Sequence, residues 1–391
     1  MCDFDTVINR RDTSCLKWDF RFRHTDNVSG TIPSGLADYD FQVPAAVQKA
    51  LHERIDHGVM GYTGVSEDYF TAVTDWYQKH HNTTVEREWF HTIPGVIPAI
   101  VLMMQTMTKP GDKVLIQNPV YHAFERAITG IGREAIDSPL VKTEDGAYAM
   151  DFDALDKALA GDLKAMILCN PHNPIGRVWQ EAELLKVAEL CQKHNVFLIV
   201  DEIWADLTFF GHKYHSALRL PKQYHDNMAV CLAPTKTFGF ASMRIANMMV
   251  PNLELGEKLE ARMLAFGFDV YDALSITAIM AAYKDGEQWL NELRSYIEGN
   301  MLLAQQMLAE QLPQVRFKLP ESSYLAWLDF SAFGIDDDAL KHKIIEEAKV
   351  IPSMGASFGE MGKGFVRLNL GCPRSQVEEQ IERIIAVFNK L

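Results

Sequence analysis

The chain reads as an α/β protein: a mostly parallel sheet in a large domain, and a smaller α+β domain after it. Two patterns carry that reading. Short apolar runs alternate with longer amphipathic stretches through the middle of the chain, and the apolar runs thin out after about residue 285. Strands separated by helices pair in parallel, with helices on both sheet faces. KVLIQ (113–117), KAMILC (164–169), VFLIV (196–200), AVCLA (229–233) and ANMMV (246–250) are the expected buried strands. Helices are expected at 151–160 and 180–193; Leu184, Leu185, Ala188 and Cys191 of the second share one face. Beyond residue 285 come a long helix (286–311), an apolar run SYLAWLDF (323–330), a helix from 338, GFVRLN (364–369) and a last helix from 374. The expected division is a large domain over 43–285, and a small one built from 1–42 together with 286–391.

Composition narrows the classes of function. In 391 residues, hydrophobic types make up 48% and charged types 23%, the balance of a packed chain rather than a disordered one. The net charge of −14 disfavours a phosphate-binding nucleic-acid face and an anionic membrane surface alike. Six cysteines are scattered without a C-x-x-C pair or zinc-finger spacing. The N-terminal MCDFDTVINRRDTS lacks an apolar core, so it reads as no secretory signal, and a reducing cytoplasm is the expected location. The cluster His212-Lys213-Tyr214-His215 reads as a solvated loop, and Asp336-Asp337-Asp338 as helix-start charge. Met103, Met104 and Met107 read as core.

In an open α/β sheet, ligands sit outside the carboxyl ends of the strands. KAMILC is followed by Asn170-Pro171-His172-Asn173-Pro174-Ile175-Gly176, VFLIV by Asp201-Glu202, and AVCLA by Pro234-Thr235-Lys236. Each residue alone is more often a helix cap or a solvated charge. Together they are the set pyridoxal-phosphate chemistry requires. Lys236 suits the Schiff base, Asp201 the ring nitrogen and Asn173 the ring hydroxyl. For the phosphate, Pro94-Gly95-Val96-Ile97 precedes a helical run expected to start near Pro98, where free amides form an anion site. Thr235 adds a hydroxyl and Arg244 a cation.

On these residues the chain resembles the fold-type I pyridoxal-phosphate enzymes, and within them the cystathionine β-lyase-like C–S lyases of the MalY/PatB group. The carrying segments are KWDF (17–20), LADYDF (36–41), GVMGYTG (58–64), NPVYHAF (118–124), NPHNPIGRVW (170–179), DEIWADL (201–207), TKTFGFASMR (235–244), SYLAWLDF (323–330) and GFVRLNLGCPR (364–374). The resemblance implies the aspartate aminotransferase fold, and Lys236 as Schiff-base lysine and proton shuttle. Asp201 and Asn173 would hold the ring, Tyr121 would stack on it, and Gly95, Val96, Thr235 and Arg244 would hold the phosphate. Arg367 would bind the substrate carboxylate, with Asn173 and Ala37 beside it. Tyr62 would reach the phosphate of a neighbouring subunit, which makes a homodimer the active unit. Trp204, also placed at the cofactor, departs from the pattern: the lyases carry His there and aminotransferases often Tyr. An indole N–H donates but transfers no proton. Arg244, eight residues after the lysine, follows the aminotransferase pattern, so a class I/II aminotransferase is the alternative to a lyase that releases thiol, pyruvate and ammonia.

Overall fold

A computed structural model describes residues 2–20 and 30–391. Seven strands form the main sheet: β1 (Phe90–Ile93), β2 (Lys113–Ile116), β3 (Glu134–Asp137), β4 (Leu163–Cys169), β5 (Phe197–Asp201), β6 (Met228–Leu232) and β7 (Ala246–Met249). Their spatial order is β1-β7-β6-β5-β4-β2-β3. β7 runs antiparallel to both its neighbours, and all other pairs are parallel. The carboxyl ends of β1, β2, β4, β5 and β6 therefore share one edge of the sheet.

The inner strands are apolar on both faces because both faces are covered. Ile167, Ile199, Cys231 and Met248 belong to one buried cluster; Leu168, Val200, Val230 and Met249, one residue out of phase, belong to the other. That alternation is the period of two of a β-strand. The first cluster contains Ala99, Ile100 and Met103 of helix 96–107 and Leu259 of helix 253–265; the second contains Leu184, Val187 and Cys191 of helix 181–193. Met103 and Met104 are fully buried, as expected, while Met107 is only half-buried.

The helices are α1 (Ala45–Asp56), α2 (Glu67–His81), α3 (Val96–Met107), α4 (Ala123–Gly130), α5 (Phe152–Leu159), α6 (Glu181–Lys193), α7 (Leu253–Ala265), α8 (Ala273–Asp285), α9 (Glu287–Gln311), α10 (Asp337–His342) and α11 (Arg374–Phe388). Asp336 caps α10, accepting from the Ala339 amide at 2.7 Å. α3 starts two residues earlier than Pro98 suggests. Gly95 is its N-cap at φ 104° and ψ 160°, a conformation only glycine adopts readily, and Pro98 falls in the first turn, where its missing N–H costs nothing.

A second, antiparallel sheet has four strands: β8 (Arg316–Phe317), β9 (Leu325–Asp329), β10 (Ser353–Met354) and β11 (Phe365–Asn369), in the order β8-β9-β11-β10. α9 and α11 pack on each other beside it. The chain's early segment runs here: Ile32–Pro33 pairs in parallel with Val350–Ile351, and the Asn369 amide donates to the Ser34 carbonyl at 2.8 Å. The Asn-Pro-His-Asn-Pro-Ile-Gly loop meets the same half through Gly176, at φ 67°. A Cβ there would run into Pro320 and lie 2.8 Å from the Ser322 carbonyl oxygen.

Two features differ from the sequence reading. Of the loop at 212–215, His212 and Lys213 are exposed, but Tyr214 is buried because its hydroxyl donates to the Glu202 carboxylate inside the protein. β1 and β3 are the two edge strands, and their polar residues conceal them. Among the described residues no helix is long and apolar enough to cross a membrane, and no cluster of metal-ligating side chains occurs.

Ile199 lies at the centre of β5 with no exposed surface. Ile199→Ala leaves a cavity that the flanking strands cannot fill, so stability falls by about 3 kcal/mol. The check is the urea midpoint, with the m-value unchanged.

Candidate active site

At the shared strand edge lies a cavity of about 650 Å³. β5 delivers Asp201 to it, with Cys169 of β4 and Cys231 of β6 as its register neighbours. Those flanking thiols are buried and uncharged, so the carboxyl group has a poorly solvating wall. Asp201 is 3% exposed, and its Oδ1 accepts from the Ile203 amide at 3.1 Å. Burial raises its pKa to about 7; the Ile203 N–H and Lys236 pull the other way.

Lys236 enters from the loop after β6. Its Nζ donates to the Ala37 carbonyl and sits 5.5 Å from the centre of the Trp204 ring. Burial lowers its pKa to about 8. The Arg367 charge adds to that, while Asp38 and Asp201 oppose it. A lysine eased toward neutrality thus faces the same cavity as a carboxyl eased toward protonation.

Arg367, on β11, is 3% exposed, so its guanidinium is held inside the protein rather than in a surface ion pair. Its guanidinium donates to Asn173 Oδ1 at 3.0 Å, the Gly35 carbonyl at 2.7 Å and Ser353 Oγ at 3.1 Å, and lies 4.7 Å from the Phe358 ring centre. The Asn173 oxygen is committed to Arg367, so its NH₂ group occupies the other branch of the amide. Tyr121 lines the cavity beside His122, the two ring centres 5.1 Å apart. Burial raises its phenol pKa, partly offset by Arg367.

At the α3 end of the cavity, the first internal bond of the helix is Ala99 N–H to Gly95 O, at 3.1 Å. The Val96 and Ile97 amides precede that ladder, as donors at a helix start do. Thr235 and Arg244 line the same cavity. Backbone donors, a hydroxyl and an arginine thus line one cavity, the chemistry a phosphate asks for.

Ala37, Gly95, Val96, Tyr121, Asn173, Asp201, Trp204, Thr235, Lys236, Arg244 and Arg367 all line this one cavity. Tyr62 does not; its side chain is 97% exposed. Sequence reasoning missed Ser353 and the Gly35 carbonyl, which aim the Arg367 guanidinium. No local pattern could have disclosed them, since Gly35 lies 332 residues from Arg367. It also missed Glu202, a buried carboxyl held by Ser216, Ala217, Asn170 and Tyr214, whose pKa burial raises.

Cystathionine beta-lyase PatB of Bacillus subtilis (strain 168) is 39% identical, with 99% of this chain and 100% of PatB covered. Protein MalY of Escherichia coli (strain K12) is 34% identical, with 98% of each covered. Among solved structures, cystalysin from Treponema denticola, which contains a pyridoxal 5'-phosphate cofactor, superposes with a TM-score of 0.96 at 32% identity, covering 100% of this chain and 99% of that one. The family model "Aminotransferase class I and II" matches residues 33–384, and with the full-length likeness to these relatives the chain belongs to that family.

Proposed function

We propose that the protein is a pyridoxal-phosphate-dependent C–S β-lyase that cleaves small sulfur amino acids, cystathionine-like or cysteine S-conjugates, to a thiol, pyruvate and ammonia. The observation that carries this is the single cavity in which Lys236, Asp201 and Arg367 converge, in a chain related over its whole length to cystathionine beta-lyase PatB. The residues fit the cofactor. Asp201, costly to hold in the apolar wall, suits a protonated ring nitrogen, and the α3 amides with Thr235 and Arg244 suit the phosphate. Asn173 would donate its NH₂ to the ring oxygen, and Tyr121 and Trp204 would bound the ring. When bound, pyridoxal phosphate supplies a ring that accepts the electron pair left at Cα.

The chain's own residues do the rest. Arg367 binds the substrate carboxylate as a planar fork, with Asn173 and the Ala37 carbonyl beside it. Lys236, freed as a neutral amine, takes the α-proton on Nζ. Asp201 keeps the ring nitrogen protonated. Thiolate then leaves from Cβ, and among the described residues that line the cavity Lys236 carries the only amine that can return a proton.

We further propose a cytoplasmic homodimer with a shared site. Tyr62 (97%), Val59 (62%) and Met60 (56%) expose an apolar ridge that a second copy would cover, bringing Tyr62 to the partner's phosphate end. In this reading residues 43–285 form the cofactor-holding domain, and 1–42 with 286–391 the smaller one.

Transamination is the second reading, favoured by Arg244 in the cavity wall. Pyruvate release from cystathionine in the absence of any keto acid separates the two. A lyase forms pyruvate stoichiometrically with thiol; a protein that stays silent until a keto acid is added is an aminotransferase.

Lys236→Ala removes the proton carrier and lowers kcat by at least ~10³-fold, with loss of the Schiff-base absorbance near the visible edge. Because the amine must be neutral to act and its pKa is lowered to about 8, kcat rises with pH through a midpoint near 8 and levels off above it. A limb still climbing at pH 10 would show an ordinary lysine.

A further inference from the structure

Five residues beyond Asp201, and past the buried Glu202, the same turn carries a further buried carboxylate with no place in the chemistry above. Asp206 is 5% exposed. Its Oδ1 accepts from Trp76 Nε1–H at 2.8 Å and from His81 Nε2–H at 2.7 Å, both on α2. Its Oδ2 accepts from Thr237 Oγ1–H at 2.7 Å. Thr237 is fully buried and directly follows Lys236. We propose that Asp206 and Thr237 are positioning residues for the catalytic lysine: their hydrogen bond clamps the loop after β6 to the turn after β5, and so fixes how far the Lys236 amine lies from the Asp201 carboxylate.

Three observations lead there. The two ends of the proposed cofactor ring are held by different loops, so their separation is set by whatever ties those loops together. The Asp206–Thr237 bond is such a tie, one residue from Lys236 and on the chain segment that carries both Asp201 and Trp204. Second, the anchor is itself fixed: α2 supplies two donors to one carboxylate oxygen, leaving the other oxygen to the threonine. His81 and Thr237, with Trp76, hold Asp206 ionised despite its burial. Third, Thr237 neighbours Lys236 in the chain and gives its hydroxyl to Asp206 at 2.7 Å, so the contact that joins the carboxylate to the lysine's loop is a directional hydrogen bond. Displacing a reacting group by about 1 Å costs on the order of 10²-fold in rate, so a clamp of this kind matters to turnover without touching substrate.

The inference rests on Lys236 as the residue that bonds the cofactor, and the experiment separates the two claims. Thr237→Val, Thr237→Ser and Asp206→Ala are prepared as holoenzymes, and two quantities are measured: kcat and KM, and the pH midpoint of the cofactor–lysine absorbance band, which needs no substrate. Thr237→Val replaces one buried hydroxyl by a methyl of the same shape, so it folds and still decides the matter if Asp206→Ala does not. The expected result is a ~10-fold fall in kcat with KM within ~3-fold, a band midpoint moved by about one pH unit, and both restored in Thr237→Ser. A Thr237→Val enzyme with wild-type kcat and midpoint overturns the clamp, as does a Thr237→Ser enzyme no better than Thr237→Val. A wild-type protein that lacks the band refutes Lys236 as the bonding residue, and the clamp with it.

Discussion

The site depends on two ionisable groups kept in a poorly solvating place in the lining of one cavity. Burial is the leading influence on both: it carries Lys236 down to about 8 and Asp201 up to about 7. Each is thereby a strained group in the folded chain. Between about pH 4 and 7 the folded protein keeps a proton on Asp201 that the unfolded chain has released, so this group's contribution to stability falls as pH rises through that window. Between about pH 8 and 10.5 the unfolded chain keeps a proton on Lys236 that the folded one has lost, so stability rises with pH there. Near neutrality both groups work against the fold. A ring that gave Asp201 a cationic partner and took up the lysine amine would relieve both at once.

What holds such a strained edge is the sheet behind it. β4, β5 and β6 bury residues on both faces, so their ends cannot splay to let water reach Asp201. The remaining wall comes from far along the chain. The segment around Gly35 and Ala37 is pinned to the second sheet, through Ser34 and Asn369 on one side and Ser353 on the other. One short stretch therefore supplies an acceptor to Arg367 and the next-but-one carbonyl to Lys236. The Arg367 guanidinium and the Lys236 amine are positioned against a common backbone, which suits the proposed reaction, in which the α-carbon would sit between them.

The five apolar runs were legible because strands covered on both sides need continuous hydrophobic sequence. The edge strands were not: Phe90-His91-Thr92-Ile93 and Glu134-Ala135-Ile136-Asp137 have one neighbour each and carry polar residues. Pro98 misled by two residues because proline is tolerated throughout a helix's first turn, whereas Gly95 marked the true boundary. Within the site, strand-end residues such as Asp201 and Lys236 could be read, since parallel strands must deliver their carboxyl ends to one edge. Ser353, Phe358 and the Gly35 carbonyl could not, because nothing local distinguishes a serine or a backbone oxygen that meets an arginine from another part of the chain. Asp206 escaped for another reason: an acid in a turn after a strand ordinarily caps or faces water, and only its three buried donors show otherwise.

Trp204 replaces a residue that could exchange protons with one that cannot, and the geometry shows what it does instead. Its ring lies 5.5 Å from Lys236 Nζ and is itself backed by Tyr324 at 5.0 Å, with Tyr39 4.3 Å further on. An ammonium held over an indole face gains about 0.5–2 kcal/mol, equivalent to raising its pKa by roughly 0.4–1.5. The amine nonetheless ends near 8 rather than 10.5, so burial outweighs the ring. Trp204 offers an apolar, aromatic surface beside the amine and adds no competing acid or base. In the proposed reaction the proton transfers at Cα would therefore fall to Lys236, and the fate of the substrate would be decided by which carbon the amine faces when its proton is given back.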